Sequence, residues 1–173
     1  MVIGFLDETS PQTIANTQRF WSFGYPTLIK NTTKFRANTF GFCPLNGCPV
    51  LEFHEHSKQE DVCEFLQSIR NMNPDVDLVI ILDNFRSHHA IKTREYAEKI
   101  RIKLVYLPPY SPDLNPIEYI WKSVKRIISR TFIRDLDHLK QVILDAFKKY
   151  GCSLSFAKAW IAKFLGSENS IIN

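Results

Sequence analysis

Apolar residues recur along this chain with two periods, and the switches between them mark out the elements. Leu78-Val79-Ile80-Ile81-Leu82 is an unbroken apolar run, rich in β-branched residues and cut off by Asp83-Asn84. Such a run reads as a strand buried on both faces, the centre of an α/β sheet. Val2 to Leu6 predicts a short strand that delivers Asp7, with Glu8-Thr9-Ser10-Pro11 as the turn beyond it. Gln18 to Phe23 predicts an extended segment that Gly24-Tyr25-Pro26 breaks. The β-rich runs Lys34 to Pro44 and Pro49 to His56 flank Leu45-Asn46-Gly47-Cys48. They predict a hairpin whose Asn-Gly turn takes positive φ at both central residues. Lys103 to Leu107 predicts a further strand, stopped by Pro108 and Pro109.

Helical periodicity fills the gaps. Ser57 predicts an N-cap for a helix whose apolar positions Val62, Phe65, Leu66 and Ile69 fall at i, i+3, i+4 and i+7, ended by Asn71 to Pro74. A second helix is expected from about His88 to Lys99. A third starts near Pro116, a residue suited to a first helical turn. Its apolar stripe is Ile117, Ile120, Trp121, Val124 and Ile128, and Glu118, Lys122 and Lys125 share a neighbouring face. A fourth helix buries Leu136, Leu139, Ile143, Ala146, Phe147 and Tyr150, and a fifth runs from about Ser153 to Leu165. Strand, hairpin, helix, strand, helix, strand, helices is the order of an α/β fold with a mixed β-sheet flanked by α-helices.

Composition narrows the classes. A chain of 173 residues with 45% hydrophobic content is one domain with a sizeable core. The expected unit is residues 1–165, helical and basic from about 116, with 166–173 as a tail. No stretch approaches the roughly 20 apolar residues that span a bilayer, and the first residues carry acids where a signal peptide needs a basic start. A cytoplasmic protein, with no membrane partner, is the expectation. Cys43, Cys48, Cys63 and Cys152 form no metal- or disulfide-like spacing and predict free thiols. Charge is unevenly placed: Lys122 to Lys163 holds ten Lys or Arg against three acids, although the net charge is only +4. A basic helical tail beside an acid-bearing core suggests a polyanion partner.

The acids carry the chemistry. Asp83 ends an apolar strand, where ligands of open α/β sheets gather and where a carboxylate is costly unless solvated, paired or metal-bound. Asp7 follows another strand and Glu118 lies on the first turn of a helix. Each has a plainer reading: Asp7 as a turn cap, Glu118 as an i, i+4 partner of Lys122. Leu82-Asp83-Asn84 with His88, then Leu107-Pro108-Pro109-Tyr110-Ser111-Pro112 and Leu114-Asn115-Pro116-Ile117-Glu118 with Trp121, resembles the core of the mariner-type DDE transposases. The likeness is to the prokaryotic insertion-sequence branch, because 34 residues separate Asp83 from Glu118. Gly4-Phe5-Leu6-Asp7-Glu8-Thr9 resembles that family's first strand and first acid, and Trp21 resembles a tryptophan found after it.

The resemblance implies a ribonuclease H-like fold and a transposase that cleaves and joins DNA strands as an insertion sequence moves. It implies Asp7, Asp83 and Glu118 as catalytic ligands of two Mg²⁺ ions, with Mn²⁺ as a substitute. Asn84, His88 and Asn115 match family positions and are expected to orient a ligand or shape the loop, with capping of the Glu118 helix as the simpler reading for Asn115. Lys122, Lys125, Arg126 and Arg130 are the candidates for DNA phosphate contacts, which position DNA without reading sequence. Asp113, at a position the motif leaves variable, is not expected to be catalytic. Transposon-end and target DNA are the implied partners, in a homodimer. With Asp7 so near Met1, the N-terminal helix-turn-helix of this family is expected to be absent or separately encoded. Two other classes compete: another ribonuclease H-like nuclease, and a non-catalytic DNA-binding remnant.

Overall fold

The computed structural model describes residues 1–14, 23–25, 31–109, 111–151, 158 and 161–162. In chain order its elements are β1 (Val2–Thr9), β2 (Thr39–Pro44), β3 (Val50–Phe53), α1 (Gln59–Met72), β4 (Leu78–Leu82), α2 (Ile91–Lys99), β5 (Ile102–Tyr106), α3 (Ile117–Ile128) and α4 (Leu136–Gly151). The strands form one mixed sheet in the order β3-β2-β1-β4-β5. β1 is antiparallel to β2 and parallel to β4, and β4 is parallel to β5. The middle strand is therefore β1, not the apolar run Leu78–Leu82. β4 also alternates, with Val79 and Ile81 only partly buried.

Alternation along β1 separates two cores, since successive side chains of a strand point to opposite faces. Phe5 faces α3 and α4, among Ile117, Ile120, Trp121, Val124, Ile143 and Phe147. Leu6 joins Phe40, Phe65, Leu66, Ile80 and Leu82 beneath α1 and α2. Each fully buried Phe or Leu contributes about 1.5–3 kcal/mol by leaving water. The apolar spacing of α3 buries all five predicted stripe residues. In α4, Leu139, Ile143, Ala146 and Phe147 are buried, but Leu136 at the helix start is exposed and Tyr150 only partly covered.

Several local expectations are corrected. β1 runs on to Thr9 because Thr39 pairs with it, so Asp7 lies within the strand rather than after it. The hairpin strands are shorter than their β-rich sequences. Of Asn46 and Gly47 only Gly47 takes a positive φ, of 128°. Asn46 instead caps the sheet's end through its side chain, donating from Nδ2 to the Met1 carbonyl at 3.0 Å. Lys58, not Ser57, precedes α1, and its N–H donates to the Asp61 carboxylate at 2.8 Å. α2 starts at Ile91, which leaves His88 and His89 in the turn before it. The fifth helix falls almost wholly outside the described residues, as do Trp21, most of the 18–23 segment, Cys152 and the tail. Cys48 and Cys63 are free thiols, and Cys43 Sγ–H donates to the Gly151 carbonyl at 3.2 Å. Among the described residues no helix is long and apolar enough to cross a membrane.

One glycine bears directly on the acids. Gly41 pairs with Asp7 across the β1–β2 ladder. A Cβ on Gly41 would lie 2.5 Å from the Trp121 ring and 3.1 Å from Phe147. The missing side chain is what lets the indole lie flat against the sheet. Gly41→Ala is expected to lose about 1–3 kcal/mol by overpacking, read from urea unfolding; an unchanged midpoint would mean the ring is held elsewhere.

Candidate active site

Parallel pairing brings the first two acids together. The β1–β4 register joins Val2 to Leu78 and Phe5 to Ile81. Carried two residues further, it sets Asp7 level with Asp83 and on the same face as Phe5, the face that α3 covers. Glu118 comes from the first turn of α3. Asn115, buried before that helix, donates from Nδ2 to the Leu6 carbonyl at 3.4 Å, and its Oδ1 accepts from the Ile117 N–H at 3.4 Å. It therefore ties the start of α3 to the residue before Asp7, a link across the sheet as well as a weak cap. Asp7, Asp83 and Glu118 all line one cleft of about 410 Å³, walled by Phe85 and the Leu107–Pro109 turn. A larger concavity of about 900 Å³ opens between α2 and β5 and touches none of the three.

Their surroundings differ. Asp7 is buried, and the Trp121 indole Nε1–H donates to its Oδ2 at 3.0 Å. Burial and then the charge of Glu118 raise its pKa to about 7, with a further push from Asp83; the N–H donors of Glu8 and Trp121 oppose this only partly. Asp83 is half-exposed. Burial would raise it too, but the His88 ring and the Phe85 N–H, both on its Oδ1, hold it below the usual carboxylate range. Its Oδ2 has no hydrogen-bond partner among the described residues. The Glu118 carboxylate makes no ion pair there either. The alternative pairing with Lys122 is not formed, and Lys122 Nζ sits 5.0 Å over the Tyr119 ring instead.

His88 links two acids that lie 75 residues apart in sequence. Nδ1 is 2.8 Å from Asp83 Oδ1 and Nε2 is 2.9 Å from Glu8 Oε1, with the ring 1% exposed. Carboxylates at both nitrogens require both to donate, so the ring is an imidazolium. Burial alone would lower its pKa, but the Asp83 and Glu8 hydrogen bonds overcome that and raise it to about 9. Tyr106 Oη donates to the His88 carbonyl at 2.9 Å and holds the turn. Asn84 Nδ2 hydrogen-bonds the Leu107 carbonyl, and its Oδ1 meets His89 Nε2 at 2.6 Å. His89 in turn stacks on Tyr106 at 4.0 Å. Asn84 thus fastens the loop after Asp83 to the end of β5.

Glu8 and the donor role of Trp121 escaped the sequence reading. The signal for Trp121 was available, since a buried tryptophan N–H needs an acceptor. Nothing local marks Glu8 as the partner of a histidine so far away. Lys122, Lys125 and Arg126 are exposed on α3 and Arg130 is exposed in the turn after it, and none of the four lines the clefts that hold the acids. Asp113 is exposed and outside them too.

Among the described residues no three His, Cys, Asp or Glu side chains converge tightly enough to hold one ion. The donor chemistry nevertheless suits a hard cation. Three carboxylates open on one cleft, no Lys or Arg lines it, and repulsion among them adds to the burial that burdens Asp7. All-oxygen ligation of this kind is what Mg²⁺ and Mn²⁺ take.

A family profile described as DDE superfamily endonuclease matches residues 2–140. The Transposable element Tc3 transposase of Caenorhabditis elegans is 42% identical over 69 residues, which are 38% of this chain and 21% of that protein. The Mos1 strand transfer complex superposes with a TM-score of 0.66 at 18% identity, covering 94% of this chain and 50% of that one. The catalytic domain of Mos1 mariner transposase also gives 0.66, at 16% identity over 93% of this chain and 76% of that one. A further Mos1 catalytic-domain structure, with raltegravir and Mn, gives 0.67. These likenesses establish the ribonuclease H-like fold. The chain spans about a fifth of the curated relative's length and about half of the Mos1 chain in the strand transfer complex.

Proposed function

The chain belongs to the DDE superfamily of endonucleases, and from that premise we propose that it is the catalytic domain of a mariner-type DNA transposase. In this reading it cleaves DNA at transposon ends and joins them to a target, and it falls in the prokaryotic insertion-sequence branch. The branch rests on the 34 residues between Asp83 and a glutamate third acid. The observation that carries the function is the register that levels Asp7 with Asp83 while α3 brings Glu118 to the same cleft.

Asp7, Asp83 and Glu118 would hold two Mg²⁺ ions, with Mn²⁺ as a substitute. The chemistry such ions would supply when bound is stabilisation of the attacking and leaving oxygens of an in-line displacement at phosphorus. Trp121 and Asn115 fix the carboxylate of Asp7 and the approach of α3. His88, clamped by Glu8, holds Asp83 Oδ1 and leaves Oδ2 for a ligand. In this reading Asp7 and Asp83 would be the shared ligands, and Glu118 would complete the second ion's shell. Lys122, Lys125, Arg126 and Arg130 would contact phosphates along the bound strand. The DNA partner is consistent with relatives described as Mos1 paired-end complexes with a transposon end.

Mn²⁺-dependent nicking of supercoiled plasmid tests this, with wild type and Asp83→Asn purified side by side. Wild type is expected to nick, and Asp83→Asn to fall by about a hundredfold or more, the scale on which loss of one transition-state charge contact is felt. Equal rates would expose a contaminant and remove Asp83 from the site.

A further inference from the structure

The Phe85 ring has no part in the chemistry above, yet three concavities meet at it. It lines the cleft of the three acids, the smaller one beside Glu8 and His88, and a third of about 860 Å³ that passes Lys58, Arg86 and His89. The residue is 49% exposed, a poor outcome for a large apolar ring. It is also held in place. The Phe85 N–H donates to Asp83 Oδ1 at 3.0 Å, and the ring meets His88 edge to face with centroids 5.9 Å apart. A fixed, half-exposed aromatic ring beside a phosphodiester-cleaving site has one obvious chemical partner. Every nucleobase offers a flat π-face, and stacking on it is sequence-tolerant.

We propose that Phe85 is a stacking site for an unpaired nucleobase next to the bond being cut, with the third concavity as the path of that strand. The inference rests on the DNA-cleaving reading of the acid cleft. Reach favours it: a base lies one sugar away from its phosphate, and Phe85 is two residues from Asp83 and bonded to its carboxylate. Charge favours it as well. Lys58 and Arg86 supply cations along the path, and the acid there, Glu60, is already paired with Lys92 at 2.8 Å. The acid cleft itself, with no basic side chain in its wall, needs such a handle on the substrate from outside it.

The test is binding of labelled DNA, followed by fluorescence anisotropy in Ca²⁺. A blunt duplex is compared with the same duplex carrying a short unpaired 3′ overhang, and with one whose overhang lacks bases. Wild type is expected to prefer the overhang. Phe85→Ala should weaken overhang binding about tenfold and leave blunt binding unchanged, and Phe85→Trp should restore it. An abasic overhang should behave in wild type as the ordinary overhang does in Phe85→Ala. The proposal is overturned if wild type shows no preference, if Phe85→Ala keeps it, or if that variant loses blunt and overhang binding alike. Plasmid nicking by wild type and Asp83→Asn reports on the cleavage reading separately. A Phe85-dependent preference without nicking would leave a base-binding surface and remove the cleavage reading. Nicking without that preference would do the reverse.

Discussion

Asp7→Asn is expected to stabilise the metal-free chain by about 2 kcal/mol at pH 8 while abolishing nicking. Asp7 sits buried beside Glu118 and Asp83, and its pKa is raised to about 7. A carboxyl group whose folded pKa lies above its unfolded value makes the native state bind more protons than the unfolded chain. Stability therefore falls as pH rises from about 4 to about 7, and the whole cost is present above that window. The full shift corresponds to about 4 kcal/mol. Asparagine recovers roughly half, because its amide removes the charge but leaves a buried NH₂ short of an acceptor. Urea unfolding in EDTA at pH 8 and pH 4 measures this: the gain should be plain at the higher pH and turn into a loss of about 1.5 kcal/mol at the lower, where the folded wild-type carboxyl is already neutral and only the amide's missing acceptor counts. Saturating Mn²⁺ should then reverse the order, raising the wild-type midpoint and leaving the variant unmoved, since a ligand stabilises only the state that binds it. A variant less stable than wild type at pH 8 without metal would mean that Asp7 is a structural acid.

Trp121→Ala carries the largest expected loss of stability, about 3–5 kcal/mol. The ring is 1% exposed, stacks on Phe147 with centroids 5.4 Å apart, and fills the space that Gly41 leaves open. Against a typical total of about 5–15 kcal/mol, that loss removes at least about a fifth of the fold's margin. Trp121→Phe separates packing from chemistry. It keeps an aromatic ring for Phe147 and should cost only about 1–2 kcal/mol, in the range of a volume-reducing core change. It also deletes the N–H that favours ionised Asp7, so the pH at which stability stops falling should move upward from about 7. Unfolding midpoints from pH 4 to pH 9 for wild type and Trp121→Phe check the point. An unshifted profile would show that the indole N–H has no influence on the acid.

Trp121 also illustrates how the chain encodes its site. Its place in the i, i+3, i+4 stripe of α3 identified it as core, and it is core; the same periodicity could not say that its N–H would find Asp7 across the sheet. Asp83 was legible because it ends an apolar run at a position where a charge is costly, whereas Asp7 and Glu118 had plainer local readings and stood out through the motifs shared with DDE transposases. Asn46-Gly47 was legible as a turn, but not as the wider turn in which only Gly47 takes positive φ, because the Asn46 side chain finds the Met1 carbonyl instead. The centre of the sheet was misplaced for a related reason. An unbroken apolar run such as Leu78–Leu82 reports burial, and it does not say which neighbours a strand pairs with.

The residues by themselves therefore determined the order of the described elements, the apolar faces of the helices and the motifs that liken the chain to DDE transposases. All of these are properties of local period, composition and spacing. Only the tertiary structure decided that β1 lies in the middle, that Asp7 stands level with Asp83, that Gly41 yields its space to Trp121, that His88 joins Glu8 to Asp83, and that Phe85 is left bare where three concavities meet. Register, cross-strand proximity and exposure at a junction are set by contacts between distant parts of the chain. Such contacts leave no mark on any one segment.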